Sequence, residues 1–222
     1  MKLRNLVLAA GLLGISFSVQ ADFFGTLSAR SANPANNPQL SVEGSFTTSG
    51  DYQNIGGRVN YGVNDSLTVY ADFGLSEVGG DGTSFGGGIF YYLPTLSESA
   101  SFLNTMDVAI QGNYHLTTLD FSGIDLDYSA LGVAMLVSPK EAFNPENGMN
   151  WYANVGLTRL AFDVAGFNLG FGFGTVGGGT TTDMNLQLGG GIYLPMGPGT
   201  LYAGADLIDE FIFGVGYRYG IN

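Results

Sequence analysis

From Leu40 onward, apolar and polar residues alternate along the chain with a period of two. In 67–75 the apolar set Leu67, Val69, Ala71, Phe73 and Leu75 interleaves with Thr68, Tyr70, Asp72 and Gly74. Alternation of that length is a strand with two chemically different faces. The same dyad recurs in 106–116, 184–194 and 211–219. Turn-forming residues punctuate the runs: Asn64-Asp65-Ser66 and Met196-Gly197-Pro198-Gly199 predict tight connections. The stretches 77–82 and 177–183 read as exposed loops on the opposite side. The pattern predicts ten strands, near 40–47, 53–63, 66–76, 83–93, 105–117, 126–137, 149–161, 182–194, 199–208 and 211–219. A strand at 167–174 would make eleven, and one at 23–30 would make twelve, so eight to twelve stays open. Ten keeps the count even and leaves 163–181 as a hairpin extension or loop.

A soluble sandwich shows the same dyad, so the composition of the two faces decides between them. The polar face is mainly Gly, Ser, Thr, Asn, Gln and Tyr with isolated charges, which suits a confined interior rather than bulk water. The apolar face lacks charges and carries aromatics at strand ends: Tyr61, Tyr91, Trp151, Tyr217 and Tyr219. Tyr and Trp favour the boundary between hydrocarbon and water. Both observations fit an all-β, antiparallel up-and-down transmembrane barrel with a polar lumen.

Composition narrows the classes. Only 12% of the 222 residues are charged, about half the level usual in soluble domains. Beyond the N-terminus no run approaches the roughly 18 apolar residues of a membrane-crossing helix. Seven basic residues against nineteen acidic ones oppose nucleic-acid binding. The first 21 residues read as a cleaved signal peptide: Lys2 and Arg4, an apolar run over 6–19, then Val19-Gln20-Ala21. Residues 22–39, with Asn33-Pro34-Ala35-Asn36-Asn37-Pro38, read as a periplasmic lead-in to a barrel domain at 40–222. With no cysteine in the chain, pairing and packing must supply stability after export.

The signal sequence, the hairpin Tyr61-Gly62-Val63-Asn64-Asp65-Ser66-Leu67 and the ending Gly214-Val215-Gly216-Tyr217-Arg218-Tyr219 resemble small bacterial outer-membrane β-barrels of the OmpA-like and OmpW-like class. The resemblance concerns architecture and covers nearly the whole mature chain. It implies an outer-membrane location, contact with outer-membrane lipids and lipopolysaccharide, and handling by the barrel-assembly machinery. Members commonly finish on an aromatic residue; here Tyr219 is followed by Gly220-Ile221-Asn222.

Candidate chemistry is sparse. Gly172-Phe173-Gly174-Thr175-Val176-Gly177 matches the dinucleotide fingerprint in letters but lacks the helix that must follow it. Asp125-Leu126-Asp127 reads as loop carboxylates rather than a calcium site, and one histidine cannot build a His-rich metal centre. No cofactor or metal is expected. His115 falls on the lumen phase with Asn113 and Thr117; Asp107 lies too far along the strand to orient it, and no serine motif accompanies it. A lipid-modifying enzyme using His115 is therefore the alternative, and a lumen polar residue the expectation.

The remaining inward charges are Glu43, Arg58, Asp72, Asp107, Asp206 and Arg218. Closing the barrel sets the first strand beside the last, so Glu43 can meet Arg218 and Arg58, with Asp206 or Asp72 nearby. The expectation is a non-enzymatic outer-membrane protein with a filled lumen and a structural or surface-interaction role. A narrow channel for ions or small solutes and a soluble periplasmic barrel binding apolar ligands are the alternatives.

Overall fold

The computed structural model describes residues 27, 29–50, 52–77, 81–99, 104–120, 125–164, 167–168, 175–176, 180–208 and 211–221. The signal peptide and most of the fingerprint at 172–177 lie outside the described residues. Ten antiparallel strands close a barrel: β1 (Leu40–Ser49), β2 (Tyr52–Gly62), β3 (Leu67–Glu77), β4 (Asp81–Tyr92), β5 (Met106–Asp120), β6 (Asp125–Pro139), β7 (Asn150–Val164), β10 (Thr180–Met196), β11 (Gly199–Leu207) and β12 (Phe211–Ile221). Each pairs with its sequence neighbour, and β1 pairs with β12 to close the ring. Between β7 and β10, the two-residue strands β8 (Phe167–Asn168) and β9 (Thr175–Val176) pair with each other and with no wall strand among the described residues, while the ends of the expected 163–181 loop belong to β7 and β10.

The period-two pattern becomes the two faces of the wall. On β1, Ser41, Glu43, Ser45, Thr47 and Ser49 are buried inward while Val42 and Phe46 face out. The outer surface is frankly apolar: Ile55, Phe73, Leu75, Phe85, Leu131, Val133, Leu186 and Phe213 are all exposed, Leu75 to 67%. Water would penalise such a surface, and hydrocarbon would not. On β7 the outward run from Trp151 ends at exposed Arg159, a charge on the face expected to carry none, placed eight residues from the aromatic rim. Eight residues at about 3.3 Å rise and about 40° tilt cover roughly 20 Å of barrel height, close to the lipid band of such barrels.

The rim holding Leu40 and Ile221, here the terminal rim, carries Tyr61, Tyr91 and Tyr219, all exposed, with Trp151 and Tyr217 half-buried. The five sequence-picked aromatics thus stand at one rim. Its turns are tightly built. Asn64 Oδ1 accepts from the backbone N–H of Ser66 and Leu67, both at 2.9 Å, and Gly197 adopts φ +61 between β10 and β11. A short helix, Pro94–Ser99, packs against β5, where outward-facing Val108 is fully buried. Pro195 does not stop its strand; β10 runs on to Met196.

One expectation is corrected. Residues 27 and 29–32, expected outside as part of the lead-in, enter the lumen: Leu27, Ala29, Arg30, Ser31 and Ala32 are buried. A turn at Pro34–Asn36, capped by Asn33 and tied by Asn37 Nδ2 to the carbonyls of Ser31 and Asn33, folds the chain back into the barrel mouth. The segment lacks a hydrophobic period because it is surrounded: Arg30 and Ser31 bond polar wall groups, while Leu27, Ala29 and Ala32 pack with Tyr70, Phe90, Leu136, Tyr152 and Tyr202.

Candidate functional site in the barrel lumen

Strand register assembles the inward charges into a row. Arg218 on β12 faces Glu43 on β1, Glu43 faces Arg58 on β2, and Arg58 faces Asp72 on β3. Alternating sign puts each charge beside an opposite one, the condition for tolerating charges out of water. Arg218 Nε donates to Glu43 Oε1 at 2.7 Å, and Asn60 Nδ2 donates to the same oxygen at 2.7 Å. Arg58 grips Asp72 with two bonds, Nε to Oδ1 at 2.6 Å and Nη2 to Oδ2 at 2.9 Å. The paired fork geometry is specific to guanidinium and carboxylate.

The row continues across a glycine. Gly86 on β4 stands between Asp72 and His115 of β5 in register, and a Cβ there would collide with the His115 ring. The missing side chain lets His115 lie over β4, bringing Nε2 to 2.8 Å from Asp72 Oδ2. His115 is 1% exposed, and its Nδ1 has no protein partner among the described residues. Other bulky lumen groups use the same device. Tyr70 covers Gly88, whose Cβ would meet the hydroxyl at 2.6 Å; Tyr152 covers Gly204, and Tyr202 covers Gly216.

The inserted segment completes the cluster. Arg30 reaches Asn60 Oδ1 at 3.2 Å and Thr68 Oγ1 at 3.4 Å, with its guanidinium 4.4 Å from the Phe90 ring centroid. Arg58 sits likewise 4.1 Å over Tyr70, whose hydroxyl accepts from Gln111. Cation–π contacts of this kind strengthen away from water. Arg218 Nη2 holds the Ala29 carbonyl at 2.7 Å, and Ser138 Oγ accepts from the Ala32 N–H at 2.9 Å.

Sequence reasoning placed Glu43, Arg58, Asp72, Arg218 and His115 inward, and the structure joins all five. The link expected directly between Arg58 and Glu43 is replaced by the fork onto Asp72. Asp206 and Asp107 stand apart: Asp206 accepts from Asn154 at 3.2 Å, and Asp107 from the Tyr92 hydroxyl at 2.9 Å. Arg30, Asn60 and Phe90 were missed. Arg30 was hidden in the supposed linker; its signal was a lone basic residue in a chain short of them.

No protein-family model matches the chain, and no curated protein matches it. Among solved structures it is similar to the N-terminal β-barrel domain of Pseudomonas aeruginosa OprF, at 11% identity over 82% of this chain and 100% of that one, with a TM-score of 0.37. LpxR from Salmonella typhimurium aligns at 9% identity over 82% of this chain and 100% of that one, with a TM-score of 0.41. The KdgM porin aligns at 8% identity over 82% and 99%, with a TM-score of 0.37. In fold the chain is a barrel of the outer-membrane kind: closed, antiparallel, apolar outside and polar inside. That description stands on its own strand pairing and faces.

Proposed function

We propose that this protein is a non-enzymatic bacterial outer-membrane barrel, closed at rest, with a structural or surface-interaction role among outer-membrane lipids and lipopolysaccharide. One observation carries the reading: the row Arg218, Glu43, Arg58, Asp72, His115 is internally paired and capped by Arg30, so lumen charge is spent on holding the wall together. A charge lining meant for steady ion flow needs hydrated, exchangeable groups instead. The signal peptide and handling by the barrel-assembly machinery belong to the same reading.

The lipid-modifying alternative draws on the contact of Asp72 with His115. Against it, the same carboxylate is gripped by Arg58, which makes the pair part of an ion network.

The test has two arms. The protein should fractionate with the outer membrane, resist extraction by alkali, and show no steady conductance at low voltage in planar bilayers. Phospholipid and acyl-chain hydrolysis should match the blank for both wild type and His115→Asn. Recovery from the periplasm without detergent, or a wild-type hydrolysis that His115→Asn abolishes, overturns the reading.

A further inference from the structure

We infer that Leu27 and Ala29 to Ala32 form a removable plug, whose withdrawal through the terminal rim turns the closed barrel into a cation-preferring pore. The inference rests on the membrane-barrel reading above and adds regulation to it.

Three observations carry it. First, the segment is inside the wall but is no part of it: it pairs with no strand among the described residues. Non-covalent side-chain contacts hold it: Arg30 to Asn60, Thr68 and the Phe90 ring, Ser31 and the Ala32 N–H to Ser138, Arg218 to the Ala29 carbonyl, and the packing of Leu27, Ala29 and Ala32 against lumen tyrosines and Leu136. Second, the wall is complete without it. The pairs Arg218 with Glu43, Arg58 with Asp72 and His115 with Asp72 join wall residues only, so they survive its departure.

Third, above the charge row the wall on the β1 to β5 side carries small polar groups, facing Tyr128, Leu160 and Ile212 of the opposite side. Ser45, Thr47 and Thr117 point inward with hydroxyls that have no protein partner among the described residues, and Gly56, Gly74 and Ser84 continue the rung of Ser45 and Thr117 through strand register. Buried hydroxyls without protein partners suit water or a hydrated ion, not a packed core. Leu27 lies over Gly214 beside Thr47, so the segment reaches up to this zone and blocks it. Once Arg30 leaves, the lumen keeps, among the described residues, four buried carboxylates, Glu43, Asp72, Asp107 and Asp206, against the guanidiniums of Arg58 and Arg218 and the imidazole of His115. That excess selects cations.

The chain has no cysteine, and Ser31 Oγ stands 3.4 Å from Ser138 Oγ, a spacing that suits a cross-link. The full-length Ser31→Cys/Ser138→Cys variant would be inserted in planar bilayers and driven with increasing voltage in a potassium chloride gradient. Reduced, it should open in steps with the same cation-side reversal potential as wild type but at a lower voltage, because the substitutions also remove the hydroxyl bonds of Ser31 and Ser138. Oxidised, its open probability should fall at least tenfold, and reductant should restore it. A second variant, Asn60→Ala/Thr68→Ala, keeps the three ion pairs of the wall, gives up the Asn60 bond to Glu43 and removes both hydrogen-bond acceptors of Arg30, and should raise open probability about tenfold.

Equal conductance in the oxidised and reduced states overturns the plug, as does silence of the inserted, reduced protein at every voltage or an unchanged Asn60→Ala/Thr68→Ala variant. An anion-side reversal potential overturns the selectivity. Failure of wild type to insert into bilayers at all strikes the membrane reading instead.

Discussion

The two halves of the lumen solve the burial of polar groups in opposite ways. Near the terminal rim, charges are paired, rings lie over glycines, and the inserted segment fills the remaining space. Towards the far rim, the inward residues of β1 to β5 are small hydroxyl and amide groups, several without a protein partner among the described residues. Across the barrel at the far level Tyr128, Leu160 and Ile212 are buried too, so the contrast lies in how the polar groups are paired rather than in how far the lumen is filled.

The comparison breaks most forcefully at Arg218. Arg218→Met strands Glu43 without its guanidinium and releases the Ala29 carbonyl, so it should cost about 3 kcal/mol in urea unfolding from detergent. Adding Glu43→Gln should recover a good part of that loss, because the two sites share one network. Equal losses for the single and double variants would show that the charge row does not act as a unit.

A smaller effect is expected at Gly86. Gly86→Ala drives a methyl group into the His115 ring and towards the Tyr114 carbonyl, which should cost about 2 kcal/mol by overpacking. The chemical shift of His115 should move as the ring leaves Asp72. An unshifted imidazole would mean that the ring does not lie over β4.

The smallest change belongs to the far half. Thr47→Val removes a fully buried hydroxyl without a protein partner among the described residues and keeps the shape, so stability should stay within about 0.5 kcal/mol of wild type. A loss above about 1.5 kcal/mol would reveal a bonded hydroxyl and erase the contrast between the halves.

What the sequence made legible follows from periodicity. The ten wall strands could be read because each carries a two-residue repeat over most of its length, and closure alone brings Glu43 to Arg218. The partnership of Asp72 with His115 was not legible. It spans two hairpins and depends on a residue, Gly86, whose contribution is the absence of a side chain. Arg30 was invisible for another reason: a segment surrounded by wall has no face to repeat, so its composition mimics a linker.

The Glu43–Arg218 contact joins residues 175 apart in sequence, on the first and last wall strands. Neither charge has the other until the ring shuts. An unfinished curved sheet therefore carries near one free edge a carboxylate held only by Asn60 and the facing Arg58 of β2, and near the other a guanidinium without its carboxylate. Such an edge is a poor template for a foreign strand or a second copy, because unmatched charge there is costly in a greasy setting. Only the chain's own far end offers the neutralising mate, so the last step of assembly favours self-closure over fusion with a neighbour.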